Sequence, residues 1–179
     1  HRSCATGNVT LTGGLGNNEY ASIDAANLQN IGTSIGGPVS GTIKLQGGGF
    51  LTTTGSYAAI TSTSSQHINV AGNLKVFGSN NLTPVTANPN DDYALVYTQA
   101  DQTIHVGAGI QIEANQGVSG TDIGTGVGDF INLGAAIVAD NTQLITTRGD
   151  GILITGGTLA GAAAGIDMTN GTAVQAILA

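Results

Sequence analysis

YAAITSTSSQHINVAGNLKV at residues 57–76 is answered 36 residues later by YALVYTQADQTIHVGAGIQI at 93–112. Tyr57 and Tyr93, Ile60 and Val96, Ile68 and Ile104, Val70 and Val106, Leu74 and Ile110, and Val76 and Ile112 all fall in step. A chain keeps such a period when each repeat is one structural unit stacked on the next, so the repeat decides the fold.

Working outward from this pair, a glycine followed closely by apolar, any, apolar recurs at GNVTLTGG (7–14), GTIKLQGG (41–48), GNLKVFGS (72–79), GIQIEA (109–114) and GILITGG (151–157). The first apolar positions, Val9, Ile43, Leu74, Ile110 and Ile152, are 34, 31, 36 and 42 residues apart. A second element precedes the next copy of the first: YASI (20–23), YAAI (57–60), YALV (93–96), then FINL (130–133) or AAIV (135–138), and AGID (164–167). Tyr20, Tyr57, Tyr93 and Phe130 are 37, 36 and 37 residues apart, which favours FINL, whereas the spacing to the glycine element favours AAIV. Both alignments stay open, with an insertion in the fourth repeat. A third element, HINV (67–70) and TIHV (103–106), lies between the other two.

Alternating apolar residues point one side chain in and the next out. Each repeat therefore reads as three short strands separated by Gly, Asn, Ser and Asp turns. Three strands per turn, stacked about 4.8 Å apart, make a single-stranded parallel β-helix of about five coils of 31–42 residues with variable corner loops. The whole chain, 1–179, forms one β-solenoid domain with no evident caps. Inward files are predicted at Val9, Ile43, Leu74, Ile110, Ile152 and at Leu11, Leu45, Val76, Ile112, Ile154, with Thr10, Lys44, Lys75, Gln111 and Leu153 outward between them. A β-sandwich also offers short strands and Gly-rich turns, but has no reason to hold Tyr and the apolar pairs in register at this period. A helical reading fails on the period of two and the wealth of Thr, Gly and Asn.

Composition narrows the partners. Only 8% of the residues are charged while 29 are glycine, so hydroxyls, amides and backbone must cover the surface, and a hydrophobic fraction of 40% argues for a folded chain. Four basic residues against eleven acidic ones cannot build the basic stripe that phosphate neutralisation needs, which argues against nucleic acid. No apolar run reaches the length of a membrane span. Cys4, the single cysteine, is a free thiol, an intermolecular bridge or a lipid site.

The wording of GDGILITGGTLAGAAAGIDMTNGTAVQAIL (149–178) and of YAAITSTSSQHINVAGNLKV resembles bacterial autotransporter passengers and filamentous-haemagglutinin-type surface proteins. That resemblance implies a right-handed β-helix exported to the cell surface or extracellular space and used as an adhesive stalk. The repeat begins at Val9 and still runs at Ile177 and Leu178, so Val9, Leu11, Val174, Ile177 and Leu178 are the predicted assembly edges. Uncapped solenoid ends expose apolar files and unpaired strand edges. Either the chain is cut from a longer β-helix, or a head-to-tail homopolymer satisfies both ends with one contact that does not close, giving a fibre.

Other candidate sites compete with ordinary structural roles. Arg148, Gly149 and Asp150 form the RGD tripeptide of integrin ligands, yet Gly-Asp before a strand is common turn chemistry. Asp91 and Asp92, in NPNDD at 88–92, are the calcium candidates, or simply solubilise a loop. His67 and His105 have no metal-ligand spacing to a Cys or Asp partner. Glu113 and Asp101 are outward carboxylates of the type a glycoside-cleaving β-helix uses, but the chain has no Trp to platform a sugar. The reading is a non-enzymatic extracellular structural protein without cofactors, a β-helical subunit of a surface or matrix filament with adhesion as a consequence. The alternative is an adhesin or passenger fragment that binds a host receptor or glycan through loops, and the remote alternative is a polysaccharide-degrading β-helix.

Overall fold

The computed structural model of the chain describes residues 2–3, 7–16, 18–32, 38–48, 56–78, 93–114, 134–156, 163–170 and 174–179. Sixteen strands and no helix lie among them, dealt in rotation to three sheets. The first sheet holds β1 (Arg2–Ser3), β4 (Gln29–Ile31), β7 (Gln66–Val70), β10 (Gln102–Val106), β13 (Gln143–Thr147) and β16 (Gln175–Leu178). The second holds β2 (Val9–Thr12), β5 (Ile43–Gln46), β8 (Leu74–Phe77), β11 (Gly109–Glu113) and β14 (Gly151–Thr155). The third holds β3 (Ala21–Ala25), β6 (Ala58–Ser62), β9 (Ala94–Thr98), β12 (Ala135–Ala139) and β15 (Ala164–Met168). Each strand pairs in parallel with the strand three later in the chain, which is the connectivity of a parallel β-helix.

The predicted files are vertical columns. Val9, Ile43, Leu74, Ile110 and Ile152 are register partners in succession, as are Leu11, Leu45, Val76, Ile112 and Ile154. Ile23, Ile60, Val96, Ile137 and Ile166 answer them from the third sheet, and Ile31, Ile68, Ile104, Ile145 and Ile177 from the first. Apart from Ile154 and Ile177, which are exposed, they form one core. A fully buried Ile or Leu of this kind contributes roughly 1.5–3 kcal/mol. Outside, Lys44 pairs with Lys75, and Lys44 Nζ lies 5.4 Å from the Phe77 ring centroid, which offsets part of the like-charge repulsion.

Tyr20, Tyr57 and Tyr93 stack at 4.8 Å between successive centroids with ring planes within 4°. That spacing is the strand repeat itself, so backbone and rings share one period. The column does not continue through an FINL alignment. Ala135 pairs with Ala94, so AAIV supplies β12, and the backbone N–H of Ala94 donates to the carbonyl of Gly134. The rung after Tyr93 belongs to Gly134, and Phe130 lies outside the described residues. Some corners admit little side chain: a Cβ on Gly107 would stand 2.2 Å from the Ala71 carbonyl oxygen, and Gly151 adopts φ +74°.

Candidate assembly interface

Five glutamines open the strands of the first sheet: Gln29, Gln66, Gln102, Gln143 and Gln175. Sequence reasoning missed them because an inward file was expected to be apolar. The signal was present as Gln-x-Ile in all five strands. The amides run up the interior as a directional chain. Nε2 of Gln66 donates to Oε1 of Gln29 (2.7 Å), Gln102 to Gln66 (2.8 Å), Gln143 to Gln102 (2.8 Å) and Gln175 to Gln143 (2.6 Å). The remaining Nε2 hydrogens of Gln66 and Gln102 reach backbone carbonyls of the third sheet, at Tyr97 (3.3 Å) and Val138 (3.4 Å). Gln29, Gln66, Gln102 and Gln143 are buried, and the network keeps these polar groups satisfied.

This chain of amides has unlike ends. At its upper end the Oε1 of Gln175 accepts from no donor among the described residues, and the side chain is exposed. At its lower end Gln29 Nε2 donates to the carbonyls of Ile23 and Thr61 at 3.1 Å, the same two kinds of neighbour that Gln66 has, but no described glutamine lies beneath it. The upper end thus leaves an acceptor, whereas at the lower end both amide hydrogens of Gln29 are already taken by backbone carbonyls.

The apolar files end the same way. Ile154 is 44% exposed and Ile177 43% exposed, whereas their register partners Ile112 and Ile145 are fully buried. Ile152, Ile166 and Met168 are half-buried on the same upper rim, and the sequence pattern does not single them out as edge residues. Of the predicted edge residues, Val174, Ile177 and Leu178 sit together on this rim and are exposed. Val9 and Leu11 sit at the opposite end on β2, where Val9 is half-buried and Leu11 is already buried in the core. There the interior opens as a hollow of about 370 Å³ lined by Val9, Ile23, Ala25, Gln29 and Ile31 among others. β1 covers little of it, pairing only Arg2 with Asn30 and Ser3 with Ile31. The outer sides of β14, β15 and β16 carry no strand among the described residues.

The other candidates fall elsewhere. Arg148, Gly149 and Asp150 form an exposed bend, anchored by the Gly149 N–H on the Ala108 carbonyl (3.1 Å). Arg148 borders a surface groove of about 560 Å³ with Asn69, His105 and Thr146, in which His105 Nδ1 lies 2.6 Å from Thr146 Oγ1. His67 and His105 both point outward on neighbouring strands, offset by two residues along them, opposite Thr103 and Asn69. Asp101 Oδ1 accepts from Asn141 Nδ2 (2.6 Å) and the Thr142 N–H (3.2 Å), and Glu113 Oε2 accepts from Gln111 Nε2 (3.4 Å). These carboxylates belong to a corner before the first sheet and to the second sheet, respectively. Asp91, Asp92 and Cys4 lie outside the described residues. Among the described residues no three His, Cys, Asp or Glu side chains group as a metal site, and no helix is long and apolar enough to cross a membrane. Comparison with known proteins gave no match to a family model, a curated protein or a solved structure.

Proposed function

We propose that the chain is a non-enzymatic structural subunit whose coils stack end to end into an extracellular filament, with adhesion following from display. The observation that carries this reading is the pair of unlike ends: Ile154 and Ile177 stand exposed in files that are fully buried one turn below, and the hollow at the other end is lined by Ile31 of the Ile177 file together with Val9 and Ile23. A solenoid whose rim continues its interior presents strand edges for β-addition. The contact is heterologous, so it propagates. The resemblance to exported β-helices supports an extracellular location. Sedimentation velocity and electron microscopy of the purified chain test the reading. Filaments with an axial rise of about 24 Å per subunit, five strand spacings, are expected, and a monodisperse monomer at high concentration overturns it.

A second reading, an adhesin acting through its surface, is favoured by the exposed Arg148–Asp150 bend beside the polar groove. Cell attachment that falls in Asp150→Ala, with assembly unchanged, would identify it.

A further inference from the structure

We infer that Tyr20, Tyr57 and Tyr93 form an oxidative crosslinking site, at which a one-electron oxidant couples neighbouring rings into dityrosine and ties successive turns covalently. Such a link uses contacts within one chain and does not depend on end-to-end stacking.

The backbone holds the three phenols on consecutive rungs. Each precedes a strand of the third sheet, and the residues that follow them, Ala21, Ala58 and Ala94, are register partners. The Tyr57 carbonyl accepts from the Ala21 N–H and the Tyr93 carbonyl from the Ala58 N–H, both at 3.0 Å. Equivalent positions project equivalent side chains, so successive rings lie 4.8 Å apart, centroid to centroid, and within 4° of parallel. The carbons ortho to each hydroxyl therefore face their counterparts on the next ring at about one strand repeat, about 4.8 Å. Stacking alone requires only an aromatic ring. The hydroxyl adds a different chemistry, because a phenol releases an electron and a proton together far more readily than a plain benzene ring does. Tyr20 is 59% exposed and Tyr57 and Tyr93 are half-buried, so an oxidant in solution reaches the stack.

In the coupling, two phenols each lose one electron to the oxidant and one proton to water, leaving two phenoxyl radicals. As the rings tilt together, the two unpaired electrons form one carbon–carbon bond between ortho positions. The hydrogen on each joined carbon then leaves as a proton while the ring oxygen gains one, which restores both phenols. Two equivalents of oxidant are reduced, and the product is lighter by two hydrogens. A link closes a loop of 37 residues between Tyr20 and Tyr57 or of 36 between Tyr57 and Tyr93, which restricts the unfolded chain. Tyr97 is the contrasting phenol. It donates its hydroxyl to Asp140 Oδ2 (2.7 Å), and its register partners, Thr61 and Val138, carry no ring.

Trypsin sites fall between the stacked rings, so digestion reports which are joined. Cleavage after Arg2, Lys44, Lys75 and Arg148 leaves Tyr20 in peptide 3–44, Tyr57 in 45–75, and Tyr93 with Tyr97 in 76–148. Full-length chain carrying Cys4→Ser, which removes thiol oxidation, is oxidised in dilute solution with ruthenium(III) tris-bipyridine generated by light and persulfate. The species that migrates as a monomer is unfolded, digested and weighed. Links of 3–44 to 45–75 and of 45–75 to 76–148 are expected. They should form at least about tenfold faster than in the same chain unfolded in urea, because rings held in contact need no loop-closure search. Tyr57→Phe keeps the ring and should abolish both links without joining 3–44 to 76–148, whose stacked rings stand about 10 Å apart. Tyr20→Phe should remove only the first link, and Tyr97→Phe neither. Folded chain that yields no dityrosine, or that pairs its phenols in the same proportions as unfolded chain, overturns the proposal. So does a link of 45–75 to 76–148 that persists in Tyr93→Phe, since it then runs through Tyr97.

Discussion

The fourth and fifth turns of this solenoid contain nearly the same residues in the same files, yet their surroundings differ. Ile112, Ile145 and Gln143 are shut away, while Ile154, Ile177 and Gln175, one rung above, face outward along the rim. Side-chain identity therefore says which file a residue belongs to, and the neighbouring turn decides whether that file is buried. In a repeat protein the energy of a turn resides largely in its contacts with the turns on either side, so a terminal turn holds about half of its potential burial in reserve. The difference between the two turns thus lies in their neighbours and not in their side chains.

The largest effect should come from paired truncations in one file. Ile112→Ala should destabilise the chain by about 2–5 kcal/mol through lost transfer energy and a cavity. Ile154→Ala should cost under about 1 kcal/mol in the dispersed chain but weaken assembly. Urea unfolding at a dilution where the chain is monomeric measures the first quantity, and sedimentation the second. Equal costs at the two positions would break the contrast between the turns.

The glutamine chain gives the next contrast. Gln102→Leu strands Oε1 of Gln66 and Nε2 of Gln143 in the interior, and two buried groups without partners predict a loss of about 2–4 kcal/mol. Gln175→Leu removes one donor from Gln143 at a rim that water reaches, so its cost should stay below about 1 kcal/mol. Thermal unfolding of the two variants decides whether the amide chain is equally satisfied along its length. A smaller difference is expected in the tyrosine stack. Tyr57→Leu loses ring contacts on both faces, about 1–3 kcal/mol, and Tyr20→Leu loses one, about 0.5–1.5 kcal/mol.

How far the sequence discloses this arrangement differs from sheet to sheet. The second sheet is legible throughout, because glycine marks each corner and two apolar residues alternate behind it in every turn, from Val9 to Ile154. The third is legible except at the fourth turn, where Phe130 continues the tyrosine spacing but Gly134 holds the rung above Tyr93. Spacing along the chain and register across it diverge wherever corner loops vary in length. The first sheet is the least legible, since two of its strands were recognised from Ile68 and Ile104 while a polar inward file escaped an apolar-inside rule. Glutamine is tolerated there because stacking at the strand repeat lets each amide satisfy the next. At the exposed rim, Ile177, Leu178 and Val174 follow from the repeat pattern, but Ile152, Ile166 and Met168 do not. Recognising them requires knowing which strand of each sheet is outermost among the described residues, and Leu11 shows the converse, a predicted edge residue buried in the core.

The smallest expected effect concerns how firmly the outer turn is tied to the body. Tyr97 donates its hydroxyl to Asp140 Oδ2 (2.7 Å), and Asp140 Oδ1 accepts from Thr169 Oγ1 (2.6 Å), so one carboxylate joins the third, fourth and fifth turns on the outside of the third sheet. Burial, then the hydrogen bond to Asp140 and the charge of Asp140, push the Tyr97 pKa from 10.0 up to about 12. The folded chain thus holds this proton more tightly than the unfolded chain does. The resulting stabilisation is fully present below about pH 10 and is lost as the pH rises through about 12. Tyr97→Phe should lower stability by about 1 kcal/mol near neutrality, and the gap to the wild type should narrow across that alkaline window, because the other tyrosines titrate in both proteins. Thr169→Ala leaves the Tyr97–Asp140 bond in place, so it should preserve the alkaline difference while loosening only the last turn, read as faster amide exchange in β15. If Thr169→Ala instead slackens β9 and β12 equally, the fifth turn is as integral as the fourth, and exposure at the rim reflects position alone.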